Sequence, residues 1–285
     1  LGMDVTYVGT DANGLVKVSE IEAAITPKTC LITVLMASNE TGAVQDIKAI
    51  SEVAKKHNVR FHTDGAQAIG KMKVDLVDLG VDYFTFSAHK FHGPKGIGGM
   101  FIKGGAPYTT LIHGSKNVMG GKRAGSLYNN GVAAMAEALE IANINLPLVE
   151  KSVQSMRDRL EDALLTIPDT KSYVPRVKRL KNLVAMSFRG VEGESMLWDM
   201  NENGIYISTG SSCSSEDLEG SAVVEALGEV TEIANTTVMF ALSKFTTEEE
   251  IDYVIEKVKI AVERIREISM TYAKQEAFSV YVEDH

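Results

Sequence analysis

Two charged residues of this chain stand where predicted strands end. The strand predicted over residues 82–86 runs into Ser87-Ala88-His89-Lys90, and the strand predicted over residues 59–62 runs into Thr63-Asp64. Ligands of open α/β sheets bind beyond the carboxyl ends of the strands, so Lys90 and Asp64 are expected at one sheet edge. Alone, such a lysine is usually a solvated residue and such an aspartate usually a helix cap. Their occurrence together indicates a site.

A lysine and an acid at one edge match the two demands of pyridoxal phosphate. The cofactor needs an amine for a Schiff base and an anion that keeps its pyridine nitrogen protonated. Gln67, three residues after Asp64, adds an amide to the same edge. The glycine-rich stretch 93–99 has neither the Gly-Lys-Ser/Thr ending of a P-loop nor the glycine spacing of a dinucleotide-binding turn. The pattern therefore favours pyridoxal phosphate over a nucleotide.

Metal chemistry finds less support in the sequence. The histidines show no ligand spacing with the two cysteines, Cys30 and Cys213, so no metal site is predicted. Two cysteines are too few for a disulfide framework and indicate a reducing compartment such as the cytoplasm. Cys30 lies in an apolar run, and we expect it to be a buried, small hydrophobic residue.

Strand and helix patterns alternate in the first half of the chain. A helix is expected after Ser19 and a second after Asp46, each residue acting as a cap. This alternation predicts an α/β fold with a mostly parallel sheet covered by helices. The strands are predicted over residues 5–8, 30–37, 59–62, 82–86 and 97–102.

The pattern changes near residue 130, where two long helical patterns begin that run to about residue 167 with an interruption at Pro147. We therefore predict a large domain over residues 1–145 and a smaller C-terminal α/β domain over residues 146–285. A length of 285 residues agrees with about two domains. The second domain is expected to contain strands over 183–188, 205–207 and 237–242, a helix over 194–203 and a closing helix from residue 248.

Composition narrows the classes of partner. The chain has 29 basic and 38 acidic residues, a net charge of −9, which argues against nucleic acid or an anionic membrane as a partner. No apolar run approaches the length of a membrane helix, and no signal peptide is evident, so we expect a soluble protein that is not exported. The first residue, Leu1, is not methionine, which suggests a fragment or a processed product.

Several motifs occur in an order that resembles the cysteine desulfurases, which belong to the class V aminotransferase-like group of fold-type I pyridoxal phosphate enzymes. The resemblance covers essentially the whole chain and implies a large pyridoxal-phosphate-binding domain followed by a small domain. The motifs are Ser38-Asn39-Glu40-Thr41-Gly42, Asp64-Gly65-Ala66-Gln67, Ser87-Ala88-His89-Lys90, Gly93-Pro94-Lys95-Gly96, Arg123-Ala124-Gly125-Ser126, Val191-Glu192-Gly193-Glu194-Ser195, Ser208-Thr209-Gly210-Ser211-Ser212-Cys213 and Phe245-Thr246-Thr247-Glu248-Glu249-Glu250-Ile251-Asp252.

The resemblance implies a role for each matching residue around the cofactor. Lys90 would form the Schiff base and Asp64 would pair with the pyridine nitrogen. Gln67 and Asn39 would contact the phenolic oxygen and flank the ring or the substrate carboxylate.

The resemblance also implies how the phosphate is held. Ser87 and His89 would bind it within the subunit. Ser126 matches a threonine that reaches the phosphate of the neighbouring subunit's cofactor, which implies a homodimer with shared sites.

Cys213 matches the family's nucleophile, in a segment composed almost wholly of Ser and Gly. The resemblance implies that its thiolate takes the sulfur of the substrate L-cysteine, which leaves a persulfide on the protein and releases alanine. The implied acceptor of that sulfur is an iron–sulfur scaffold or a thiolation protein.

Three departures from the family keep alternatives open. Met239 stands where the family has an arginine that grips the substrate carboxylate, and methionine has neither charge nor donor. Relatives carry an N-terminal segment with a phosphate-binding Gly-Thr turn and a ring-stacking histidine, and without it we expect a site open on one face. The stretch 113–120 also differs from the family's glycine-rich sequence. The alternatives are a non-catalytic paralogue that acts as a binding partner in sulfur trafficking, and a pyridoxal phosphate lyase with another substrate.

Overall fold

The computed structural model describes residues 2–210, 221–269 and 272. The chain forms two compact units. The first unit comprises residues 18–37 and 46–146, and the second comprises the described parts of 1–17, 38–45 and 147–285. This division differs from a single cut at residue 146, because 1–17 and 38–45 group with the C-terminal part of the chain.

The first unit is built on a four-stranded sheet with the strand order β1-β2-β3-β4. β1 pairs with β2 and β2 with β3 in parallel, whereas β4 runs antiparallel to β3. A mostly parallel sheet with helices confirms the predicted α/β fold. The strands are β1 Leu31–Leu35, β2 Arg60–Asp64, β3 Tyr83–Ser87 and β4 Gly98–Ile102.

Helix α2 of this unit has the N-cap and the apolar stripe that the sequence predicted. It spans Ile47–Lys56, and the side chain of Asp46 accepts a hydrogen bond from the Ala49 amide, which confirms the predicted cap. Ile47 and Ile50 are buried on one stripe of the helix. The other α-helices of the unit are α1 Val18–Ala24, α3 Leu76–Leu79 and α4 Asn129–Ile144.

The second unit contains an antiparallel sheet with the order β5-β6-β8-β7. Both faces of its two central strands are covered, so β6 is buried along its whole length. Its strands are β5 Thr170–Ser172, β6 Leu183–Phe188, β7 Ser208–Thr209 and β8 Thr237–Ala241.

Helices α5 to α10 follow α4 along the chain. The interruption predicted at Pro147 is present, because α5 is a single short turn that passes into a π-helical stretch before α6. α10 begins with a capping box in which Thr247 and Glu250 satisfy each other's backbone amides. The helices are α5 Leu146–Leu148, α6 Gln154–Leu164, α7 Gly193–Glu202, α8 Ala222–Ala226, α9 Thr231–Ala234 and α10 Glu248–Ile268.

The second unit buries a group of charged side chains, which we call the buried ion network: Arg157, Glu161 and Arg179. Nη2 of Arg179 lies 2.6 Å from Oε2 of Glu161, and both side chains are almost fully buried. Arg157 donates to the carbonyl of Leu180 at 2.9 Å, and Arg179 donates to the carbonyl of Tyr173 at 2.8 Å. Burial raises the pKa of Glu161, but the hydrogen bond and charge of Arg179 outweigh it and hold that pKa below its usual range.

Three local expectations are wrong. Residues 5–8 form no strand, since no neighbouring strand offers them backbone partners and Tyr7 is almost fully exposed. Cys30 is exposed and precedes β1 instead of lying buried within it. The strand expected over 205–207 begins only at Ser208, because pairing with β8 starts there.

Among the described residues, no single helix is long and apolar enough to cross a membrane. Only the bent pair Asn129–Ile144 and Leu146–Leu164 meets that requirement, and only by combined length and composition.

Candidate functional site

The proposed site residues of the first unit gather where β2 and β3 end. β2 ends at Asp64 and β3 at Ser87, and these neighbouring strands are parallel, with Asp64 in register with Thr85. Strands β2 and β3 therefore end at the same edge of the sheet, which is where the sequence analysis expected Asp64 and Lys90. We call this place the strand-end edge, and it contains Asp64, Gln67, Ser87, His89 and Lys90.

The turn after β2 is held tightly against β3. The Asp64 carboxylate accepts a hydrogen bond from the Ala66 amide at 2.8 Å, and the Gly65 amide donates to the Thr85 carbonyl at 2.9 Å. A Cβ at position 65 would lie 1.9 Å from Cζ of Phe84, so the observed packing requires glycine there. The backbone thus fixes the place from which the Asp64 side chain extends.

Gln67 has a partner that the sequence analysis missed. Nζ of Lys71 donates a hydrogen bond to Oε1 of Gln67 at 2.7 Å. Burial, and then repulsion by Lys90, lower the pKa of Lys71 to about 8. The spacing of four residues between Gln67 and Lys71, one helical turn, is the signal that could have revealed the pair.

The segment after β3 presents Lys90 to solvent. A 3₁₀ turn over Ala88–Phe91 buries its two apolar ends and leaves His89 and Lys90 exposed. His92 then adopts a left-handed conformation with φ of 68°, and its amide closes the turn on the Ala88 carbonyl. In the part of the chain that the structure describes, the Lys90 amine has no hydrogen bond or ion pair.

A histidine on β2 was also missed as a neighbour of the site. Nδ1 of His62 lies 2.7 Å from Oγ1 of Thr33, and Nε2 lies 3.1 Å from Oγ1 of Thr85. Burial lowers the pKa of His62, and the charge of Asp64, two residues along the same face of β2, opposes that shift. The ring is thus held between β1 and β3, beside the strand end that carries Asp64.

Ser126 also belongs to the first unit, in the segment that precedes α4. Its side chain is exposed, and Gly125 before it has φ of 93°, which favours glycine. Its role toward the cofactor of a neighbouring subunit stays a prediction.

Asn39 belongs to the second unit, in a turn organised by Ser38. Oγ of Ser38 accepts hydrogen bonds from the amides of Glu40 and Thr41, both at 3.2 Å. The turn is joined to the rest of the unit by a backbone bridge between Ala43 and Arg179. Asn39 itself is exposed, and its place relative to Lys90 stays a prediction.

Glu40 contacts the described residues on both sides of the segment that contains Cys213. Its Oε2 accepts a hydrogen bond from Oγ of Ser221 at 2.5 Å, and a Cβ on Gly210 would lie 2.6 Å from the same oxygen. Ser221 also caps α8 by accepting from the Val224 amide at 3.1 Å. Cys213, the predicted nucleophile, lies outside the described residues.

Met239 lies in the middle of β8 and is 7% exposed. It faces Ala185 on β6 and Ser208 on β7. Met239, which the resemblance matches to a substrate-binding arginine, is therefore part of an apolar core cluster. Its neighbours in that cluster are Leu15, Ala43, Tyr173, Val174, Ala185, Val224, Leu227 and Ala234.

The strand-end edge fits pyridoxal phosphate by the chemistry of its donors and acceptors. It offers an amine on Lys90 and a carboxylate on Asp64, the two groups that the cofactor needs, together with an amide on Gln67. Oγ of Ser87 makes no hydrogen bond with any described residue and is a donor for phosphate. The described residues contain no cluster of three or more His, Cys, Asp or Glu that could hold a metal ion.

Comparisons with known proteins agree with this chemistry. The model of the family "Aminotransferase class-V" matches residues 1–254. The chain is 40% identical over 271 residues to the cysteine desulfurase IscS of Clostridium botulinum, covering 94% of this chain and 68% of that protein. It is 38% identical over 274 residues to the cysteine desulfurase IscS of Methanosarcina thermophila, with coverage of 96% and 68%.

Among solved structures, a NifS-like protein superposes with a TM-score of 0.85 at 34% identity. The match covers 92% of this chain and 69% of that one. The chain thus spans about two thirds of the length of the relatives that it matches, and its fold is that of the fold-type I pyridoxal phosphate enzymes.

Proposed function

Since the chain belongs to the aminotransferase class V family of pyridoxal-phosphate-dependent enzymes, and within it to the cysteine desulfurases, we propose that it removes sulfur from L-cysteine with Lys90 as the cofactor-binding residue. The carrying observation is that Lys90, in the turn directly after β3, and Asp64, at the end of the parallel neighbour β2, follow strands that end at the same edge of the sheet. An amine and a carboxylate at one edge are the two groups that pyridoxal phosphate needs.

The residues of the strand-end edge divide the work of holding the cofactor. When bound, pyridoxal phosphate supplies an electron sink that weakens bonds next to the substrate amine. Asp64 would keep the pyridine nitrogen protonated, and Gln67 would donate its amide to the phenolic oxygen. Lys90 would provide the covalent link and move protons at the substrate carbon, the role of a general base whose amine is near the reacting atoms.

Ser87 and His89 would hold the phosphate, with Asn39 beside the ring. Ser126 would reach the phosphate of a neighbouring subunit, which makes the working form a homodimer with shared sites.

Cys213 would take the sulfur. In a balanced step, L-cysteine and the Cys213 thiol become alanine and a Cys213 persulfide, so one carbon–sulfur bond breaks and one sulfur–sulfur bond forms. The persulfide would then pass to an acceptor, an iron–sulfur scaffold or a thiolation protein. We place this chemistry in the reducing cytoplasm, as the low cysteine content predicts, with no nucleic acid or membrane as partner.

A second candidate differs in the substrate. Met239 lies in an apolar cluster where the family's arginine would grip a carboxylate. Without that planar pair of donors, the chain loses a charge-assisted contact that is typically worth about 2–5 kcal/mol. The observation favours weak binding of L-cysteine, or a substrate held by other groups, and it leaves the role of Lys90 unchanged.

The proposal is tested with the purified chain, pyridoxal phosphate and L-cysteine. We expect a visible absorption band on addition of the cofactor, a spectral change on addition of L-cysteine, alanine release and a mass increase of one sulfur atom on Cys213. Cys213→Ala should keep cofactor binding and lose sulfur transfer, whereas Lys90→Ala should lose the covalently bound cofactor.

Two results would overturn the proposal. A featureless spectrum in a dimeric preparation would replace the enzyme with a non-catalytic binding partner. Alanine release that persists in Lys90→Ala would remove Lys90 from the chemistry.

A further inference from the structure

Lys71 is a partly buried charged residue that the mechanism above does not use. Its Nζ lies 2.7 Å from Oε1 of Gln67 and close enough to Lys90 for the two positive charges to repel. Lys73, two residues further on, is exposed. Lys71 therefore points toward the strand-end edge while its neighbour in sequence points to solvent.

The chemistry of an ammonium group decides how the Gln67 amide is turned. A protonated lysine has three donors and no acceptor, so only the amide oxygen of Gln67 can face it. The amide nitrogen must then point away from Lys71. Among the described residues, Nε2 of Gln67 has no hydrogen-bond acceptor, so its two donors are available to a ligand.

We propose that Lys71 is a positioning residue, which fixes the Gln67 amide so that its nitrogen donates to the phenolic oxygen of pyridoxal phosphate. The inference rests on the proposed function, because it presumes that the cofactor binds at the strand-end edge. If the amide were turned around, its oxygen would face the phenolic oxygen, and two acceptors would repel each other. Lys71 excludes that arrangement without touching the cofactor.

The burial of Lys71 supports this role. Desolvation and Lys90 both disfavour its charged form, yet the side chain stays inside instead of extending into water. Among the described residues, the Lys71 amine has one hydrogen bond, the one to Gln67. Removing the lysine amine is therefore expected to release the Gln67 amide more than to unfold the chain.

The experiment compares cofactor binding in four single variants of the full chain and in the double variant Lys71→Met/Gln67→Ala. Lys71→Met keeps the apolar stem and removes the donor, Lys71→Arg keeps a donor, and Lys73→Met is the matched surface control. Gln67→Ala removes the amide that Lys71 is proposed to orient. Each is titrated with pyridoxal phosphate and with 3-O-methylpyridoxal phosphate, whose oxygen carries a methyl group and no negative charge.

We expect Lys71→Met to weaken pyridoxal phosphate binding about tenfold, the equivalent of one hydrogen bond, and Lys71→Arg to restore most of it. Lys73→Met should match the wild type. In the Gln67→Ala background, Lys71→Met should have no further effect on pyridoxal phosphate affinity. The 3-O-methyl analogue should bind the wild type and Lys71→Met with the same affinity. Without cofactor, the side-chain amide signals of ¹⁵N-labelled Gln67 should shift in Lys71→Met and not in Lys73→Met.

The inference is overturned if Lys71→Met binds pyridoxal phosphate as the wild type does, or if its loss is the same with Gln67→Ala in place. Failure of the proposed function looks different: the wild type would not bind pyridoxal phosphate, or Lys90→Ala would bind it as well as the wild type. The amide signals of Gln67 test the orientation even in that case.

Discussion

The strand-end edge and the buried ion network both consist of charged side chains, yet they treat charge in opposite ways. At the edge, Lys90 is exposed and has no ion pair among the described residues, while Asp64 caps a turn. In the network, Glu161 and Arg179 are almost completely buried and face each other at 2.6 Å. The strand-end edge leaves its lysine open to a ligand, whereas the charges of the buried ion network neutralise each other.

The strand-end edge is thus suited to chemistry, and the buried ion network affects stability. A buried ion pair must be matched, because a single remaining charge in a low-dielectric interior is expensive. A charge at an exposed strand end contributes little to folding, so its identity is open to functional demand. Changes at the edge are therefore expected to alter reactivity, and changes in the network to alter the free energy of unfolding.

The largest functional effect is expected for Lys90→Ala. Loss of the amine should reduce the rate of alanine release by about 10²- to 10⁴-fold. The free energy of unfolding should stay within about 0.5 kcal/mol of the wild type, since Lys90 is a surface residue. Steady-state kinetics and urea denaturation give the two values. A stability loss of several kcal/mol would contradict the view that the strand-end edge contributes little to folding.

The reverse result is expected for Glu161→Gln. Removing the negative charge leaves Arg179 buried without a counter-ion, which should lower the free energy of unfolding by about 3–5 kcal/mol. The control is Asp162→Asn, because Asp162 is the exposed partner of Arg176 and should contribute no more than about 1 kcal/mol. Equal losses in the two variants would contradict the view that burial makes the difference.

The pair of Glu161 and Arg179 should also make the stability of the chain depend on pH in the acidic range. The pKa of Glu161 is depressed in the folded state, so its contribution is present above the unfolded value of 4.5 and is lost as pH falls through the folded pKa. Glu161→Gln should therefore flatten the fall in stability below that pH, as measured by urea denaturation at a series of acidic pH values.

Met239→Arg tests the position at which an apolar side chain stands where the resemblance implies a substrate-binding arginine. An arginine within the apolar cluster should lower the free energy of unfolding by about 1–3 kcal/mol, because the long side chain can only partly reach water. It should also strengthen binding of L-cysteine by restoring a carboxylate partner. Met239→Leu is the control for packing alone, and an unchanged affinity for L-cysteine would show that the carboxylate is held elsewhere or not bound.

Lys71 is expected to make stability depend on pH in the alkaline range. Its pKa in the folded chain is about 8, below the unfolded value of 10.5, so the unfolded state binds more protons between these values and stability rises with pH there. Lys71→Met should remove this rise and be more stable than the wild type at neutral pH. Urea denaturation at about pH 7 and about pH 10 tests it, and a rise that persists in the variant would refute the assignment to Lys71.

Local patterns predicted much of the fold. The Asp46 cap and the long closing helix were visible because their signals, a capping side chain and an apolar stripe, lie within one or two turns of the chain. The short strand β5 was missed, since its pairing with β6 is what makes it a strand. The strand expected over residues 5–8 failed for the converse reason, as β-branched residues do not pair without a neighbour.

The sequence by itself determined which reactive groups are present and in what order: a lysine and an acid at successive strand ends, and a methionine at position 239. Only the tertiary structure decided that Lys71 donates to the Gln67 amide oxygen, that Glu40 accepts from Ser221, and that Met239 lies in a core cluster. The physical reason is range. Capping and periodicity act between residues a few positions apart, whereas burial and hydrogen bonding between distant side chains exist only after the sheets have formed.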